Sequence, residues 1–360
     1  MTTEIADDVY GCLIGGAIGD ALGAPVEGWT YERIEEEYGT LQDFKQYDMP
    51  YANTHAGAVT SDTTLRQILS LAIVENGSRV TPEEFGQVFC DRLNPDRVWI
   101  NEEIIVNKLS AGMDPWSSGT GSIPDNKMTS AITPVGIVNL GAPTQAYQDG
   151  FVLASVLQDG PDRHGTATVA AGVAEAITRG ATIDTVLATM TEHATGKMDR
   201  AMDIAIGLAE ESDTPEDLIE RLYDEFLDWR WLPSRWDREK YHEGEVFSAN
   251  TLEVVPVAVA MLRICDGEVN RSIIEGVNYG RDSDAVATIA GSIAGALHGA
   301  DEIRSDWKSK CETANREFFA ELEDDPDADF RSMADRLVGV LERERDRAEE
   351  RARMLSEVLE

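Results

Sequence analysis

Two stretches of this sequence gather oxygen ligands at the start of a helix. In Val277–Gly299, VNYGRDSDAVATIAGSIAGALHG, the carboxylates of Asp282 and Asp284 close a Gly-Arg turn and open a run of Ala, Gly, Ile and Ser. Far upstream, Thr60-Ser61-Asp62-Thr63 crowds oxygens ahead of the apolar-faced run LRQILSLAIVENG. Carboxylate and hydroxyl groups are hard donors that suit Mg2+, Mn2+ or Ca2+, and no His or Cys stands at the spacing zinc or copper needs. Thr60, Ser61, Asp62, Asp282 and Asp284 are therefore the candidate metal ligands, although either motif alone is equally an ordinary helix N-cap. Gly280 and Arg281 add backbone N–H groups and a cation that would suit binding of an anionic group such as phosphate.

Such a site needs helices that hold it still. Ala287, Gly291, Ala294, Gly295 and Gly299 behind the Asp pair let a second helix approach closely. Asp8–Gly23 is the matching surface, because Gly11, Gly15, Gly19 and Gly23 recur at i+4 and form one stripe. Each helical glycine costs on the order of 1 kcal/mol relative to Ala, so the stripe predicts close packing of these two similar segments. Gly11–Pro25 is apolar but short of the roughly 20 residues a membrane span needs, and it carries Asp20 in mid-run. It reads as a core helix. Ala24-Pro25 then breaks the helix and puts Glu27 on a turn.

Further helices are expected over Tyr31–Tyr38, Thr81–Leu93, Val98–Ala111, Ala131–Gly136, Ala146–Leu157, Thr166–Thr178, Thr182–Thr195, Met198–Glu211, Pro215–Phe226 and Thr251–Cys265. Gln42–Gly57 reads as an irregular loop, and Gly112–Asn126, rich in Gly, Ser, Pro and Asp, as an active-site loop. No stretch alternates at period two, so the fold class is all-α. Trp229, Trp231 and Trp236 read as a loop packed onto the globule. The domain reading is an all-helical unit over 1–312, then an acidic linker and charged helix over 313–360. Met333, Leu337, Val340, Leu341, Met354, Leu355 and Val358 give that helix a thin seam. It is either a solvated helix laced with ion pairs or an arm for homo-oligomerisation.

The charge balance, 67 Asp+Glu against 31 Lys+Arg and a net −36, repels polyanions. Nucleic acid is excluded as a main partner and an anionic membrane is disfavoured. Molar salt shrinks the Debye length to about 3 Å and removes the self-repulsion of such a chain, so the composition suits a halophilic, salty cytoplasm. Cys12, Cys90, Cys265 and Cys311 are scattered without CxxC spacing, and the N-terminal residues lack an export-signal pattern, which agrees with a cytoplasmic site.

The segments GCLIGGAIGDALGAPVEG, VTSDTTLRQILSLA and NYGRDSDAVATIAGSIAGALHG, in this order and spacing, resemble the ADP-ribosylglycohydrolase superfamily over roughly residues 8–307. The resemblance implies an all-helical fold, a centre with Mg2+ or Mn2+, one or two ions, and hydrolysis of a glycosidic bond to the ribose of an ADP-ribosyl substrate. It implies that the family's Thr-Asp-Asp-Thr motif falls on Thr60, Ser61, Asp62 and Thr63, with serine in place of its first aspartate. Its Asp-x-Asp-Thr motif falls on Asp282, Ser283, Asp284 and Ala285, without the threonine. Glu27, Asp62 and Asp282 are then catalytic, the two aspartates binding metal as well, and Glu27 matches an acidic residue beside the substrate ribose, placed to grip a ribose hydroxyl or to act as acid or base. Two other functions stay open: hydrolysis of a free nucleoside or small glycoside, and binding of ADP-ribose or a nucleotide without turnover.

Overall fold

The glycine stripe of the first helix, Thr2–Gly23, lies directly on the helix Ser283–His298. A Cβ added to Gly11 would fall 2.3 Å from the Gly295 carbonyl oxygen, one on Gly15 2.4 Å from that of Gly291, and one on Gly19 2.2 Å from that of Ala287. No side chain larger than hydrogen fits between these backbones. Such contact fixes the two helices in register along their whole length, and the register brings the end of one to the start of the other. Asp20, in the last turn of the first helix, and Glu27, just past its end, therefore come to the Asp282–Asp284 turn.

The structure is a computed structural model that describes residues 2–47, 55–94, 98–227 and 250–359. Among them are 17 α-helices and no strand, only the isolated bridge Thr30↔Gly280, as an all-α fold requires. Val269–Asn278 covers a further face of Ser283–His298, with Gly276 against Ala287. Thr251–Ile264 and Asp162–Ala176, both almost wholly buried, complete the wall around it. Ser61–Asn76 is buried from its first residue to Ile73 and stops at Gly77, whose left-handed φ of +68° ends the helix. Glu4–Val26 is long and apolar enough to cross a membrane by length and composition alone, yet here its neighbours bury it.

Two expectations change. The boundary at 312 does not exist, because a helix the sequence reading missed, Ser305–Glu323, runs through it. Asn315 accepts from the Val59 N–H at 3.0 Å and donates to the Gly57 carbonyl, so this helix anchors the approach to Thr60. The acidic breaker is a turn after Asp324, and Phe330, Met333 and Leu337 of the last helix, Phe330–Leu359, are core residues. Only from Arg345 onward is that helix exposed throughout, carrying ion pairs such as Arg345–Asp346 and bare Met354, Leu355 and Val358. The helix expected over Ala131–Gly136 is two short ones, Lys127–Ala131 and Thr133–Val138. The Trp229, Trp231 and Trp236 cluster and part of the Gln42–Gly57 loop lie outside the described residues.

Candidate metal centre

Asp20 is a fully buried acid in a helix of small apolar residues, and its carboxylate has a structural task. It accepts from the backbone N–H groups of Thr60 and Thr63 at 3.1 Å, which caps the Ser61–Asn76 helix and ties it to the first helix. Burial, then the nearby Asp62 and Asp284, pushes its carboxyl up to about 7. Thr60 is an ordinary N-cap, its Oγ1 accepting from the Asp62 N–H at 3.3 Å. The Oγ of Ser61 is buried without a partner.

Asp62 is also wholly buried. Its Oδ1 accepts from the ammonium of Lys127 at 2.9 Å, while Oδ2 has no donor. Lys127 opens the short helix Lys127–Ala131 and is itself buried. Next to it, Asn126 Nδ2 donates to Asp282 Oδ2 at 2.6 Å. The Asp125 carbonyl accepts from Gln158 Nε2 at 2.8 Å and from Thr251 Oγ1 at 3.0 Å, so the end of the loop that carries both side chains is pinned.

Glu27, Asp282 and Asp284 form the tightest group, each offering a carboxylate oxygen within 4.8 Å of the others. Ser283 between the two aspartates donates to the Gly23 carbonyl at 3.0 Å and holds the turn against the first helix. Asp282 Oδ1 and both oxygens of Asp284 are buried with no donor. Glu27 alone of the three is partly exposed, which places it at the mouth of the centre. Burial, then Asp284, pushes Glu27 up to about 8, and the same causes hold Asp282 well above the usual carboxylate range. Buried acceptors without donors are rare because each loses its hydration uncompensated. A hard divalent cation removes that penalty, so the donor set fits one.

Among the expected ligands, then, the structure gathers Asp282 and Asp284, with Glu27 as the third member, while Asp62 is engaged by Lys127 and Thr60 is spent on capping. The phosphate reading of Gly280 and Arg281 is corrected. The Gly280 N–H donates to the Val277 carbonyl and the Arg281 N–H to the Trp29 carbonyl at 2.7 Å. The Arg281 guanidinium is buried as a two-point pair on Glu253, which also accepts from the Tyr279 hydroxyl at 2.9 Å. Both residues shape the turn. Sequence reasoning missed Asp20, Asn126 and Lys127. The available signals were an acid inside an apolar glycine stripe and an Asn-Lys pair ending an active-site loop.

A fold of this kind, with a buried carboxylate cluster where a glycine-lined helix pair meets a second helix start, defines a class of all-helical proteins built around one hard-ligand centre. Residues 1–347 match the model of the ADP-ribosylglycohydrolase family, and the chain belongs to that family of hydrolases. It is 24% identical over 334 residues to the uncharacterised protein YegU of Escherichia coli (strain K12), covering 86% of this chain and 92% of that protein. It is 24% identical over 314 residues to the ADP-ribosyl-[dinitrogen reductase] glycohydrolase of Rhodospirillum rubrum, covering 85% and 91%. A solved structure of an ADP-ribosylglycohydrolase-related protein complex superposes with a TM-score of 0.67 at 17% identity, covering 94% of this chain and 99% of that one, which shows a common fold.

Proposed function

We propose that this protein hydrolyses the glycosidic bond joining an ADP-ribosyl group to its leaving group, with Mg2+ or Mn2+ held by Glu27, Asp282 and Asp284. The observation that carries the reading is the convergence of those three carboxylates around buried oxygens that lack donors. The family match over residues 1–347 supplies the substrate class.

The chemistry asks for anions around an anomeric carbon. As the leaving group departs, the ribose gains oxocarbenium character, which nearby carboxylates stabilise. A divalent cation bound there supplies Lewis-acid charge to substrate and water oxygens. Glu27, at the mouth, is the carboxylate a ribose hydroxyl meets first. Asp62 presents Oδ2 with Oδ1 fixed on Lys127, an arrangement suited to accepting a proton from the attacking water. Asn126 orients Asp282 and leaves its other oxygen for the cation.

The test is a substrate panel of ADP-ribosylated protein, O-acetyl-ADP-ribose, ADP-ribose and free nucleosides, assayed at high salt with Mg2+ or Mn2+ and after chelation. Release of ADP-ribose that stops on chelation is expected. Turnover of nucleosides alone, or binding of ADP-ribose with no product from any substrate, overturns the reading.

A further inference from the structure

The four carboxylates Glu27, Asp62, Asp282 and Asp284 face one cation that belongs to the chain itself. Lys127 Nζ lies 2.9 Å from Asp62 Oδ1, and both side chains are buried. We propose that the Lys127 ammonium takes the place of a second divalent cation, so that the centre holds a single divalent ion at Glu27, Asp282 and Asp284. This rests on the metal reading above and settles the choice between one ion and two.

Three observations lead there. The carboxylates divide: Glu27, Asp282 and Asp284 converge within 4.8 Å, whereas Asp62 stands outside that group with the ammonium on it. Beside Asp62 the next side chain offering oxygen is Ser61, a neutral hydroxyl buried without a partner. The charge on these five side chains points the same way. Four carboxylates and one ammonium sum to −3, so one divalent ion leaves −1 and a second gives +1. Two divalent ions need an anionic ligand between them to offset their repulsion, and Asp62, the carboxylate outside the group of three, is already paired with the ammonium. Of the other buried acids nearby, Asp20 already accepts N–H groups from Thr60 and Thr63, and Asp125 accepts from Asn101. A fixed ammonium supplies positive charge without needing a metal to be loaded, and it holds Asp62 in one orientation.

Counting bound Mn2+ tests this, using the electron paramagnetic resonance signal of the free ion during titration of the full chain. The wild type is expected to bind one ion, and Lys127→Met to bind two, because Asp62 is then released beside Asp284. Lys127→Arg keeps the charge and is expected to bind one, and Lys127→Met with Asp62→Asn to return to one. If Lys127→Met does not fold by circular dichroism, Asp62→Asn decides, since it is expected to keep one ion with affinity within about threefold. Two ions in the wild type, one unchanged ion in folded Lys127→Met, or loss of the ion in Asp62→Asn overturns the lysine assignment. The first two leave the metal reading standing. No ion in wild type or any variant overturns the metal reading itself.

Discussion

Gly23 meets Asp284 backbone to backbone: a Cβ on Gly23 would fall 2.4 Å from the Asp284 Cα and 2.4 Å from its nitrogen. The end of one helix thus sets the position of a carboxylate at the start of another. Gly23→Ala pushes that turn away, with expected destabilisation of about 1–3 kcal/mol from overpacking and weaker Mn2+ binding. Gly207→Ala serves as the contrast. Its helix, Lys197–Glu211, leaves nothing within 4 Å of the new methyl, so a gain of about 0.4–1 kcal/mol is expected from reduced unfolded-state freedom. Urea unfolding of both variants, with calorimetric Mn2+ titration of the first, checks the opposite signs. A neutral Gly23→Ala would mean that the contact does not position Asp284.

Asp284 separates binding from stability. It is wholly buried, its oxygens have no donor, and burial followed by the charge of Asp62 holds its carboxyl above the usual range. Asp284→Asn keeps the shape and removes the charge. The metal-free protein is expected to melt higher than wild type, while Mn2+ affinity falls at least about tenfold, the scale of lost ligand support. Thermal melts with and without Mn2+ read both effects at once, and a variant less stable than wild type in chelator refutes the account.

The pair of Arg281 with Glu253 is structural. Removing one partner of a buried ion pair leaves the other charge uncompensated and costs about 3–5 kcal/mol. Glu253→Ala is expected to lose stability on that scale, because it strands Arg281 and the Tyr279 hydroxyl together. A fall in substrate affinity with unchanged urea unfolding would instead return Arg281 to the phosphate role.

Acids away from the centre set a pH trend. Burial first, then neighbouring acids, pushes Asp8 up to about 6, and Glu312 and Asp162 up to about 7. Each folded value lies above the ordinary one, so the native state binds these protons more tightly than the unfolded chain. Their contribution is complete below about pH 4 and is lost as pH rises to about 7. Burial is the leading cause, so molar KCl, which screens surface repulsion, leaves the trend in place. Urea midpoints in chelator are expected to be higher near pH 5 than near pH 8, and Asp162→Asn to narrow the gap. Equal midpoints in wild type and Asp162→Asn at both values would contradict the assignment.

Local pattern carried much of this protein. The i+4 glycines of the first helix, the small residues after Asp284 and the absence of period-two alternation determined an all-α fold with two helices in backbone contact. The same local chemistry put oxygens at the starts of Ser61–Asn76 and Ser283–His298, because capping acts within a few residues of chain. What those oxygens do was decided by tertiary structure. Asp62 received an ammonium from 65 residues away, Arg281 was spent on a glutamate 28 residues back, and Asp20 capped a helix 40 residues on. Periodicity records which face of a helix is buried. Which charge it is buried against depends on how the faces dock, and a buried charge takes the partner that packing brings to it.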